Sequence, residues 1–135
     1  KDKVILFGDW IDLPKCDIKK YLKNELQQYL ERRVKVIAKE MDVEYRSIKI
    51  RITKSRWGSC GVNKKLNFSF LLVFAHKWVV DYVINHELAH LKYHNHSKSF
   101  WDFLEIHNKH HKEATLYLND HKDFFLNIVK YYKLR

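Results

Sequence analysis

Within Ile84-Asn85-His86-Glu87-Leu88-Ala89-His90-Leu91, three side chains stand at a spacing that can do metal chemistry. On an α-helix, positions i and i+4 lie on one face a turn apart, so His86 and His90 can turn their imidazoles toward a single ion. Glu87, the next residue after His86, can reach a water on that ion without becoming a ligand. Two neutral imidazoles suit Zn²⁺, and an ion with an open position lowers the pKa of its water to about 7. A carboxylate beside that water can take its proton and pass it to a leaving group. The chemistry is hydrolysis. Nine histidines make a chance H-E-x-x-H less improbable than usual. Against chance, the motif lies on an apolar helix that would otherwise bury two histidines and a glutamate without partners, which is costly.

A catalytic zinc usually takes three protein ligands. His94 continues the i+4 series, but on a continuing helix it would lie about 12 Å along the axis from His86, too far to share a tetrahedral ion. The third ligand is therefore expected beyond the helix end. Asn95 is a helix-stopping residue, and His96 follows it at the spacing of the longer metzincin pattern, with Tyr93 where that pattern has glycine. Glu105 and Glu113 are the competing ligands, as in zincins that take a glutamate from the next helix. His107, His110, His111 and His121 have no partner at ligand spacing and read as surface residues.

The elements that must position this group are legible in the periodicity. Lys3 to Leu13 reads as a short strand or two with a turn at Gly8-Asp9. From Asp17, a plausible N-cap, to about Met41, the apolar residues Ile18, Leu22, Leu26, Tyr29, Leu30, Val34, Ile37 and Met41 recur at helical spacing. Ile48, Ile50 and Ile52 alternate with polar residues as in a half-buried strand, and Leu66 to Phe74 is a second strand candidate. These two strands are expected to form an antiparallel hairpin across a longer loop containing Trp57-Gly58-Ser59-Cys60. A strongly apolar helix from about Lys77 to Tyr93 carries the motif. A helix from about Ser97 and a helical C-terminal part from Glu113 follow.

Composition narrows the class. The 135 residues carry 46% hydrophobic and 15% aromatic content, which fits one compact domain with a real core. No stretch approaches the roughly 18 apolar residues of a membrane helix. Cys16 and Cys60 make no disulfide framework, and two reduced thiols in a cytoplasmic, monomeric protein are the expectation. The net charge of +10, from 26 Lys and Arg against 16 Asp and Glu, favours anionic partners. The basic residues are scattered, so this reads as a solvated surface with at most weak nucleic-acid or nucleotide binding.

The chain resembles the YgjP-like metallopeptidases, relatives of the SprT-like zinc proteases. The residues that carry the resemblance are Arg56-Trp57-Gly58-Ser59-Cys60, Leu66-Asn67-Phe68, Asp81-Tyr82-Val83-Ile84, His86-Glu87-Leu88-Ala89-His90-Leu91, and Asn95-His96-Ser97 with Phe100-Trp101. The resemblance spans roughly residues 45 to 120. It implies one Zn²⁺ per chain on His86, His90 and His96, with Glu87 as general base. It also implies a strand around Leu66 to Leu72 bordering the cleft, and N-terminal strands preceding those visible here. The expected fold is α+β and zincin-like: a small, mainly antiparallel sheet packed against a long N-terminal helix and the motif helix.

Arg56, Ser59, Asn67 and Phe68 are the candidate substrate-binding residues. Arg56 to Cys60 has two readings: Arg56 holds a substrate anion and Ser59 donates near the metal, or Trp57 and Gly58 make a tight connection between strands. Phe100 and Trp101 are expected to pack against the metal helix. Asp81 and Asn85 are candidates to orient a ligand imidazole. Arg56, His76, Tyr82 and Tyr93 are candidates for oxyanion stabilisation. The expected reaction is peptide-bond hydrolysis on a peptide or protein substrate. The alternatives are hydrolysis of a nucleotide phosphoanhydride and proteolysis of nucleic-acid-bound proteins; a purely structural zinc site is a further rival.

Overall fold

The computed structural model describes residues 2–53 and 55–135. It opens on a hairpin of β1 (Lys3–Leu6) and β2 (Asp9–Asp12) in antiparallel register, Leu6 opposite Asp9. The turn is therefore Phe7-Gly8, one residue before the expected place, and both residues have positive φ (48° and 86°), as a tight two-residue turn requires. A side chain at Gly8 would also run into the His76 ring. The hairpin tip is tied down by amide bonds from Phe7 and Gly8 to the carbonyls of Val73 and Phe74, at 2.7 and 3.1 Å.

Helix α1 (Ile18–Met41) starts where Asp17 accepts a bond from the Lys20 amide and ends at Asp42, whose backbone is left-handed. Its buried stripe, including Leu22, Leu26, Leu30, Val34 and Ile37, has the helical period read from the sequence and packs on the motif helix and the segment before it.

The second sheet corrects the expected hairpin. Strands β3 (Ser47–Arg51), β4 (Gly58–Cys60) and β5 (Lys65–Ser69) lie in the order β3-β5-β4. β3 runs parallel to β5, and the intervening β4 pairs antiparallel with β5 on its other side. Three residues without alternation give β4 no pattern of its own, and parallel pairing across a crossover leaves no local trace. Counting both sheets, pairing is mostly antiparallel and the fold is α+β. β5 also ends earlier than expected: Phe70–Phe74 forms a 3₁₀ turn, capped by the Ser69 side chain on the Leu71 amide and buried throughout.

Three helices complete the described residues: α2 (Lys77–Ala89), α3 (Lys98–His107) and α4 (His111–Tyr131). α2 is central, touching α1, α3, α4 and β4. It stops at Ala89, a turn earlier than expected, so that His90 stands at its end. Trp57, just before β4, sets its ring edge-on to Phe125 of α4 at 6.4 Å, which ties the entry to β4 onto α4. No helix of the described residues is long and apolar enough to cross a membrane.

Candidate metal centre

The helix end and the loop after it bring three imidazoles together. His86 and His90 project from the last turn of α2 and its cap, and the loop returns His96 between them. Nε2 of His96 lies 3.1 Å from Nε2 of His90 and 3.3 Å from Nε2 of His86. One nitrogen from each ring lies within 4.8 Å of the others. Three nitrogens converging this closely suit a cation, because ligation uses each lone pair and removes their mutual repulsion.

Burial, with the two neighbouring histidines, pushes the pKa of His86 down to about 4, so its imidazole is neutral at pH 7, the form that ligates. Burial chiefly lowers His90 as well. His90 Nδ1 is 3.2 Å from the Tyr93 carbonyl, a pure acceptor, so the proton sits there and Nε2 is left free. His86 Nδ1 lies 3.2 Å from the Tyr82 hydroxyl. Phe100, fully buried, stacks on His90 at 4.5 Å and meets His86 and His96 edge-on. Trp101 stacks on His96 at 5.8 Å. Phe100 thus packs on all three imidazoles, and Trp101 on those of His86 and His96.

Glu87 is 6% exposed, and no described residue gives its carboxyl a hydrogen bond. Burial raises its pKa to about 8 against the opposing charge of Arg56. β4 comes so close to it that a Cβ on Gly58 would stand 2.9 Å from Glu87 Cγ and 3.1 Å from Oε2. Gly58 is therefore the contact point between edge strand and carboxylate. Cys60, half-buried on the same strand, has its thiol pushed up to about 11 by burial and then by Glu87.

A cleft of about 660 Å³ opens over the group, walled by β4 with Arg56 and Val62 on one side and by His86, Glu87, His90, His94 and His96 on the other. Of the four substrate-binding candidates, Arg56 and Ser59 line it. Asn67 does not: its amide donates to Ser59 Oγ at 3.2 Å and its carbonyl accepts from Arg51 at 3.0 Å, bracing the edge strand from behind. Phe68 does not either; at 1% exposure it is a core residue, because its strand is the middle one. The cleft border is β4, not the strand at Leu66 to Leu72.

Other expectations fall away on contact. Glu105 bonds His111 at 2.6 Å and Glu113 faces His110 at 3.4 Å, so neither joins the three imidazoles. His111 is buried rather than on the surface, because α3 supplies Glu105 as its partner. Asp81 accepts from Tyr29 and Arg33 of α1, and Asn85 reaches Met41 and Asn108, so neither orients a ligand. His76 sits at the opposite end of α2 against Tyr117. Tyr82 and Gly58 carry more of the arrangement than their sequence context suggested. The signal for Tyr82 was present, since it stands four residues before His86 on the same helix face.

No curated protein and no solved structure matches the chain. The model of the YgjP-like metallopeptidase domain matches residues 14–121, from before α1 into α4. That match takes in the edge strand, the motif helix and all three imidazoles, and the chain belongs to the YgjP-like metallopeptidase family.

Proposed function

We propose that the chain is a zinc-dependent peptidase in which His86, His90 and His96 hold the ion and Glu87 is the general base. The observation that carries this reading is the convergence of three imidazole nitrogens beside Glu87, a residue only 6% exposed that lines the same open cleft. Bound there, zinc would supply Lewis-acid polarisation of a scissile carbonyl and acidify a water molecule. Glu87 is placed to take a proton from the attacking water and deliver it to the leaving amine. With a cation held by the three imidazoles, the Glu87 carboxyl would be lowered from its metal-free value toward the ionised form a base needs. Arg56 supplies positive charge at the cleft wall for a developing oxyanion or a substrate carboxylate.

The substrate lies along β4. Its backbone pairs with β5 on one side only, so the other edge can take an extended peptide by strand addition. Among the described residues lining the cleft, Arg56 is the only Lys or Arg, which favours a peptide over a nucleotide polyphosphate despite the net charge. Zinc-loaded wild type is expected to cleave casein, and Glu87→Gln to lose that activity by at least about a hundredfold. Nucleoside triphosphate hydrolysis that dies with Glu87, with casein untouched, would replace the peptidase reading with the nucleotide one.

A further inference from the structure

We propose that the Tyr82 hydroxyl, anchored by Thr115 of α4, is the positioning group that fixes His86 as a metal ligand; the inference rests on the metal-site reading above. An imidazole offers Nε2 to a metal only when its proton is on Nδ1. Whatever accepts that proton sets both tautomer and ring angle. His90 meets the requirement with the Tyr93 carbonyl, which has no proton to give. His86 has a hydroxyl instead, 3.2 Å from Nδ1. A hydroxyl is ambiguous, since it can donate as well as accept. Were it to donate to Nδ1, the ring proton would move to Nε2 and close the lone pair that faces His96.

The surroundings of Tyr82 remove the ambiguity. Thr115 Oγ1 lies 3.2 Å from the Tyr82 hydroxyl and 2.9 Å from the His111 carbonyl. Thr115 has a single proton, and the carbonyl is both the nearer partner and unable to donate, so the proton goes there. The threonine oxygen is then an acceptor for Tyr82. That leaves the tyrosine oxygen to accept from Nδ1 of His86. The chain from His86 through Tyr82 and Thr115 to the His111 carbonyl runs one way, because its last member cannot reverse it. Tyr82 as a residue is 8% exposed. Helix α4 thus contributes no ligand and yet orders the first one.

The test is zinc affinity, measured by competition with a chromophoric chelator. Metal-free wild type, Tyr82→Phe, Thr115→Val and the double variant are compared, with the melting temperature of each metal-free protein. Phenylalanine keeps the ring and removes only the hydroxyl. Tyr82→Phe is expected to bind zinc about 10- to 100-fold more weakly at an unchanged metal-free melting temperature. Thr115→Val should weaken binding by a smaller factor. The double variant should be no weaker than Tyr82→Phe alone, since it breaks a chain already broken. Binding by Tyr82→Phe within about threefold of wild type overturns the proposal. So do losses that multiply in the double variant, or a loss that appears only with a matching drop in metal-free stability. Wild type that takes up no zinc overturns the metal reading itself, whereas normal zinc uptake by wild type and Tyr82→Phe alike removes only the positioning role.

Discussion

At the scale of single residues, the site is defined by what stands next to Glu87. A methyl group at position 58 would occupy space already held by the Glu87 side chain and by the Asn67 carbonyl, at 2.9 and 3.1 Å. Gly58→Ala should therefore push the carboxylate out of line without touching an imidazole. The expected outcome is at least about a tenfold loss of kcat with zinc content unchanged, read by peptide hydrolysis and metal analysis on one preparation. Glu87 itself gives a pH signature in the metal-free protein. Burial pushes its carboxyl from the ordinary value of 4.5 up to about 8, so the folded state binds the extra proton. Its stabilising contribution is whole below about pH 4.5 and is lost as the pH rises through 8. Metal-free Glu87→Gln should then melt higher than wild type at pH 8, with the gap shrinking toward zero at pH 4; an equal gap at both values would contradict this burial account. Cys60 offers a third readout. With its thiol at about 11, it should resist iodoacetamide at pH 8 while exposed Cys16 reacts, and become labelled only as the pH nears 11.

At the scale of elements, α2 is held from both sides. Tyr29 and Arg33 of α1 reach Asp81 at 2.6 and 3.1 Å, and both side chains of the ion pair are mostly buried, at 33% and 25% exposure. Asp81→Ala leaves a tyrosine hydroxyl and a guanidinium without their acceptor and should cost about 1–3 kcal/mol of stability in urea unfolding, with zinc affinity unaltered. A matching loss of zinc would mean that Asp81 does orient a ligand. These same elements show where the chain could be read. Helix α1 announces itself through Leu22, Leu26, Leu30 and Val34, and the motif helix through His86 and His90, because a helix writes its neighbours into local spacing. Strand β4 has three residues and gains its meaning only from β5 and α2, so Gly58-Ser59-Cys60 read as a turn. His111 looked like a surface residue for the same reason: its partner, Glu105, belongs to another helix.

At the scale of the molecule, the fold stands on an apolar core that owes nothing to a metal. Phe68, Phe70, Phe74, Phe100 and Phe125 are all fully buried, among leucines from α1 and the 3₁₀ turn. Removing the ion with a chelator should leave the far-UV circular dichroism intact and lower the melting temperature only by the lost binding energy, which vanishes as zinc falls below its Kd. Unfolding on chelation would mark a structural site instead. The claim on which the rest depends is that three imidazoles hold the ion and the neighbouring carboxylate does not. Mass-spectrometric metal content of wild type, His96→Ala and Glu87→Gln tests it directly. The account predicts about one zinc per chain in wild type and in Glu87→Gln, and a large loss in His96→Ala. Wild type without metal, or His96→Ala with its zinc intact, would contradict it.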